Sequence, residues 1–164
     1  MKYLNVNVQG LSGIPHPSLQ GIKTTQDVHK LRHHLKFLCG DFLTAERLAR
    51  DNSVTSAQCK LCSAPIETIT HVLSECRATS EVREALLPEL LNTVLKVNPQ
   101  CHILGALRSP EILTQFLLDC TSLNLPASHR IAAHHPQVTD VFQISRNWCY
   151  RISKLRNRLL CLRK

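Results

Sequence analysis

The chain has 164 residues, 43% of them apolar, and a formal charge of +8 from 20 Lys and Arg against 12 Asp and Glu. That length suits one ordinary domain with its own core, and no apolar run approaches the roughly 18 residues of a membrane span. Aromatic residues are only 4%, which excludes broad platforms for base stacking, while the positive balance favours an anionic partner, most simply nucleic acid.

Residues 1–24 read as an N-terminal arm. Leu4, Val6 and Val8 alternate with Asn and predict a short strand, which Gly10, Gly13, Pro15, Pro17 and Gly21 then break. The opening MKYLNVNVQGLSG lacks the apolar core of a secretory signal, so an intracellular setting is expected. Residues 25–56 form a helical lead-in. Val28, Leu31, Leu35 and Leu38 recur every three or four residues and predict a helix over 25–38. Thr24 or Thr25 can cap it, and Cys39-Gly40 ends it. A second, short helix starts near Asp41 or Thr44 and stops before Asn52. One of His33 and His34 is expected to face solvent.

Residues 57–78 hold the most specific pattern, Cys59-x2-Cys62-x8-His71-x4-Cys76. Three thiols and an imidazole complete a four-coordinate shell, and Zn²⁺ accepts thiolate sulfur and imidazole nitrogen in tetrahedral geometry without redox chemistry. A catalytic zinc keeps a position for water; four protein ligands leave none. Ordinary buried cysteines would not need this spacing, and a redox dithiol would not need the His and third Cys. Glu67 to Ser74 reads as a short helix. On an α-helix His71 and Cys76 lie about 140° apart, so Cys76 is expected where the helix ends. The module is too small to bury a core, so metal would contribute directly to its folding. Cys39, Cys101, Cys120, Cys149 and Cys161 are dispersed and read as reduced thiols, with disulfides as the alternative.

Residues 79–164 form a C-terminal helical region. Val82, Leu86, Leu90 and Val94 predict a helix over 80–96, with Ser80 as a cap and Pro88 imposing a kink or a break. Ser109-Pro110-Glu111 is a helix start. Its apolar side is Ile112, Leu113, Phe116, Leu117 and Cys120. Residues 124–136 are loop-like and carry His129, His134 and His135, around which no acid or nucleophile is placed. The longest helix spans about 138–161 and buries Val138, Val141, Ile144 or Ser145, Trp148, Ile152, Leu155 and Leu159. Arg146, Arg151, Lys154 and Arg158 fall off that stripe.

Three stretches resemble the zinc-binding region of reverse transcriptases from non-LTR (LINE-like) retrotransposons. They are LRHHLKFLCGDFLTAERLARDN at 31–52, CKLCSAPIETITHVLSEC at 59–76 and ISRNWCYRISKLRNRLL at 144–160. The middle stretch is the specific one, with Glu67-Thr68 ahead of His71. The resemblance implies that Cys59, Cys62, His71 and Cys76 ligate zinc. It also implies a region that follows the polymerase and helps to position RNA or target DNA. The chain carries no YxDD polymerase signature and no run of endonuclease carboxylates, so it is not expected to be an enzyme. It looks like a C-terminal fragment, or a degenerate or domesticated copy. Its eight-residue gap before His71 differs from the four-residue gap of the retroviral nucleocapsid knuckle.

The expected fold is therefore mainly α, a small helical domain with an embedded Cys3His zinc module and a short N-terminal strand. The expected function is non-catalytic, zinc-stabilised binding of RNA or DNA, in the nucleus rather than the cytoplasm. Lys60, Arg146, Arg151, Lys154, Arg156 and Arg158 are the expected nucleic-acid contacts. The competing reading is a protein-interaction or scaffold module that docks on a polymerase domain of a parent protein.

Overall fold

A capping box opens the first helix. The Thr24 hydroxyl accepts the Asp27 N–H at 3.1 Å, and the Asp27 carboxylate accepts the Thr24 N–H at 2.9 Å. Helix α1 then runs Thr25–Leu38. Gly40, at φ +74°, ends it, with the Gly40 and Asp41 N–H groups bonded back to the carbonyls of Phe37 and Lys36. This Schellman arrangement needs a left-handed residue just past the helix. Thr44 caps the short helix α2, Ala45–Arg50.

The computed structural model describes residues 16–99, 103–123, 131 and 135–162. Among them the architecture is mainly α, with no strand. The strand expected at 4–8, Cys101, His129 and His134 lie outside the described residues. After α2 come a π turn, His71–Glu75, and a 3-10 turn, Arg77–Thr79. Helices α3 (Ser80–Val97), α4 (Ile103–Ala106), α5 (Pro110–Asp119) and α6 (Val138–Cys161) follow. No helix among the described residues is long and apolar enough to cross a membrane.

Helix α6 is the axis of the fold. Helices α1, α3 and α5 and the turn Pro17–Leu19 all pack on it. Val141, Phe142, Trp148, Cys149 and Ile152 on α6 are wholly buried, as are Leu90 and Val94 of α3 and Phe116 and Leu117 of α5. Each large apolar side chain taken out of water contributes about 1.5–3 kcal/mol.

Four expectations change. Helix α3 continues through Pro88 as one element. Pro88 and Glu84, the residue whose carbonyl loses its partner, are both exposed, so water can take the freed bond. The preceding 3-10 turn runs straight into α3, and Ser80 lies inside the helix rather than capping it. On α1, Val28 is 52% exposed while His34, Phe37 and Leu38 are buried. The buried face is rotated toward His34, whose Nε2 donates to the Leu117 carbonyl at 3.0 Å. Of the two adjacent histidines, His33 is the half-exposed one, its ring set T-shaped to that of Tyr150 at 5.3 Å between centroids. Finally, the end of the expected arm is docked. Pro17 and Ser18 are buried against α6.

Candidate metal centre

The residues Cys59 to Ala64 form a closed knuckle. The Ser63 N–H bonds the Cys59 carbonyl and the Cys59 N–H bonds the Ala64 carbonyl, both at 2.9 Å. Ser63 has φ +62°, a left-handed conformation that costs most side chains about 1–2 kcal/mol. The turn aims backbone N–H groups at sulfur: those of Leu61 and Cys62 face the Cys59 thiol, and that of Ala64 faces the Cys62 thiol.

The second half of the centre is a helix with a widened turn. Thr68 caps it by accepting the His71 N–H at 2.9 Å. The His71–Glu75 turn is of π type, closed by the Cys76 N–H on the His71 carbonyl at 2.7 Å. An i→i+5 bond draws the fifth residue back beneath the first. This resolves the awkward five-residue spacing and brings Cys76, just past the turn, to the same side as His71. The Ala78 N–H faces the Cys76 thiol in the same way.

The four ligand atoms converge. Those of Cys59, Cys62, His71 and Cys76 all lie within 4.8 Å of one another. Cys59 Sγ and Cys76 Sγ are 3.9 Å apart, and Cys62 Sγ lies 3.2 Å from His71 Nε2. For an ion bound at about 2.3 Å to sulfur and about 2.0–2.1 Å to nitrogen, the edges of a tetrahedron are about 3.8 and about 3.6 Å. The donor set therefore fits a metal ion. Cys59, His71 and Cys76 are buried and Cys62 is half-buried.

Burial pushes the Cys59 thiol up to about 12 and also raises that of Cys76. Burial opposes ionisation of Cys62 too, but the Ala64 N–H and the neighbouring thiols outweigh it and lower its pKa. Burial lowers the His71 pKa against the pull of Glu75 and Glu67, which keeps the imidazole neutral and able to ligate. Closely packed thiols that resist ionisation alone are what a dication relieves, releasing protons as it binds.

A second layer holds these ligands. Glu75 Oε2 lies 3.8 Å from His71 Nδ1, the nitrogen that faces away from the thiols. Arg83 donates to the Cys76 carbonyl at 2.7 Å and to Thr79 Oγ1 at 2.9 Å. Trp148 Nε1 donates to the Leu73 carbonyl at 3.1 Å, supplying one of the acceptors left open at a helix end. Glu67 is the central clamp. Its carboxylate, 1% exposed, accepts the Ala45 N–H at 3.0 Å and the Arg156 guanidinium at 2.5 Å. Residues from α2, α6 and the segment that links the knuckle to the π turn meet there.

Sequence reasoning assigned no task to Glu67, Thr68 or Arg83. The available signal for Thr68 was a hydroxyl three residues before His71, which is capping spacing. Glu67 and Arg83 act through partners distant in sequence or through backbone carbonyls, for which no local pattern exists.

The six expected cationic contacts divide. Arg151, Lys154 and Arg158 are exposed on one side of α6, and Lys60 is exposed on the knuckle. Arg146 is not on the surface. It is 2% exposed, and its guanidinium donates to the carbonyls of Ser18 and Gln20 at 3.1 and 2.9 Å. A single wet face was expected for α6, but the segment 16–20 covers that side of its N-terminal half. Arg156 is committed to Glu67 and lies over the Phe42 ring at 5.3 Å, so it serves the clamp instead of a phosphate. Comparison with family models, curated proteins and solved structures finds no match to this chain.

Proposed function

We propose that this chain is a zinc-stabilised nucleic-acid-binding module, akin to the region after the polymerase in non-LTR retrotransposon reverse transcriptases, and that it acts by binding rather than catalysis. The observation that carries this reading is the pairing of a closed Cys3His set with an unneutralised basic face on the helix that clamps it. Three thiolates and an imidazole favour zinc over magnesium or calcium, which prefer oxygen. Arg151, Lys154 and Arg158 make no ion pair among the described residues and sit at the i, i+3, i+7 spacing of one helix face. They suit phosphate contacts, which position a strand without reading its bases. The role implies an intracellular, nuclear setting.

The test is metal content and salt-dependent affinity on one purified sample. One zinc per chain is expected, with binding to labelled RNA or duplex DNA that weakens as salt rises. Reversing Arg151, Lys154 and Arg158 together to Glu should abolish most affinity without releasing zinc. On duplex DNA, each lost contact lowers the salt slope by about 0.9. A folded triple variant that binds as wild type does refutes the reading.

One observation favours the second reading, a module that docks on a polymerase domain or another protein. Leu43, Leu48, Val54 and Leu160 line an apolar cleft of about 550 Å³ beside Glu67 and Arg156. Docking there would persist at high salt, whereas phosphate binding would not.

A further inference from the structure

We infer that the phosphate-binding surface is built from two helices, with Arg32 and Lys36 of α1 extending the Arg151, Lys154 and Arg158 ridge of α6 around Tyr150, and that it takes a nucleic-acid strand by its phosphodiester backbone. This inference rests on the proposed function and adds residues that the basic tail does not contain.

The two ridges meet at Tyr150. The His33 ring of α1 packs edge-on against the Tyr150 ring, with centroids 5.3 Å apart, and Lys154 Nζ lies 5.8 Å from the centroid of the same ring. Arg32 and Lys36 flank His33 in α1, and both are exposed. Burial first, and then the charges of Lys36, Lys154 and Arg32, disfavour protonation of His33. Cations from both helices therefore share one locality.

The gathering of cations from two helices separates this patch from a generic solvated face. Some cations elsewhere are matched, Arg47 by Asp41 and Asp51, Arg50 by Asp51, and Arg156 by Glu67, while unmatched ones such as Lys96 and Arg108 lie on other elements. On the other side of α1, Lys30 lines a groove with Glu89 and Asp140. Around Tyr150, no carboxylate pairs with Arg32, Lys36, Arg151, Lys154 or Arg158 among the described residues. Glu81, at the start of α3, lines the groove beside Arg151 and Arg158 without pairing. Five like charges gathered with no ion-paired acid among the described residues repel one another, and an anionic chain laid across them relieves that repulsion.

The dimensions suit a strand. Arg151 to Lys154 to Arg158 spans about 10 Å along α6 at about 1.5 Å per residue. Packed helices stand about 8–10 Å apart, so α1 adds a second row alongside. Each strand of a duplex carries one charge per about 3.4 Å of helix axis, so the α6 row is long enough to meet more than one phosphate.

The experiment uses the full zinc-loaded chain, with a fluorescently labelled single-stranded RNA and a labelled duplex DNA of equal length as probes. Arg32→Gln with Lys36→Gln is compared with a control pair, Lys96→Gln with Arg108→Gln, which removes the same charge from exposed positions elsewhere. Helicity and zinc content confirm that each variant is folded. The α1 pair should weaken binding at least tenfold at low salt and lower the duplex salt slope by about 1.8, at about 0.9 per lost contact. The control pair should change both much less. Equal effects of the two pairs would mean that net charge, not this surface, drives binding, and would overturn the inference. An α1 pair that binds as wild type does, while the α6 triple reversal still abolishes binding, overturns this inference and leaves the proposed function standing. No binding by the wild-type chain to either probe defeats both.

Discussion

Replacing Arg156 by Met strands a buried carboxylate. Glu67 is 1% exposed and Arg156 11% exposed at the side chain, and the methionine keeps much of the stem that lies on Phe42. Removing one member of a buried ion pair costs about 3–5 kcal/mol, because the other charge is left uncompensated. The residual exposure of Arg156 places the expected cost near the lower end, about 3 kcal/mol. Adding Glu67→Gln removes the stranded charge and keeps an amide oxygen for the Ala45 N–H, so the double variant should recover about 2 kcal/mol. The assay is urea unfolding followed by helical circular dichroism at a fixed excess of free zinc, since bound metal adds stability by mass action. With a urea dependence of about 2 kcal/mol per molar, Arg156→Met should lower the midpoint by about 1.5 M. A midpoint shift below about 0.25 M, or a double variant no more stable than the sum of its parts, would show that Glu67 is not clamped as described. The guanidinium would then be free to serve nucleic acid after all.

Four further outcomes are expected. Cys76→Ser should lose metal and local order, whereas Cys39→Ser and Cys161→Ser, at exposed thiols, should retain a full equivalent by elemental analysis. Trp148→Ala should cost about 3–5 kcal/mol in chemical denaturation. Trp148→Phe should cost about 1–3 kcal/mol, mostly from the unpaired Leu73 carbonyl; a loss below 1 kcal/mol for the alanine variant would refute the core assignment. Ser63→Gly should leave metal affinity and stability unchanged or slightly improved, and Ser63→Val should cost about 1–3 kcal/mol in the same unfolding assay, because Ser63 holds a left-handed conformation. Burial, opposed by the bond to Leu117, lowers the His34 pKa to about 4, below the unfolded value of about 6.5. Protonation thus favours the unfolded chain, so this stability is complete above about pH 6.5 and falls by about 3 kcal/mol as the pH drops to about 4. A pH series of urea midpoints on wild type and His34→Gln should show that component in wild type alone.

The local features were legible where local chemistry decides. Thr24 with Asp27, Cys39-Gly40 and Ser109-Pro110-Glu111 are end signals whose partners lie within a few residues, and each marks the boundary observed. The Cys3His cluster, which could hold a metal ion, was equally readable, because its spacing is a property of one short segment. Burial on α6 was readable only in part. Trp148 is buried as its stripe predicts, but Arg146 on the adjacent side is covered by residues 17–20, more than a hundred positions away in sequence. A separation of 89 positions hid Arg156 in the same way, since it looks like a free cation until Glu67 is beside it. Pro88 allowed a kink or a break, and the continuous helix excludes the break. A proline's cost depends on whether its orphaned carbonyl meets water or protein, and that is set by tertiary packing.

The clamp between the metal module and α6 also orders events in time. Leu73 and Trp148 are 75 residues apart, and Glu67 and Arg156 are 89 apart. All four ligands lie within residues 59–76, so they can gather around an ion as soon as that segment has left the ribosome. At about 5–20 residues per second, the helix that covers it follows about 4–18 s later. During that interval Val72 and Leu73, buried in the finished fold, have no α6 to pack against. Metal captured early would hold the knuckle in shape while it waits. Starved of metal, the nascent segment would present thiols and apolar side chains together, a combination open to oxidation and aggregation before the last helix arrives.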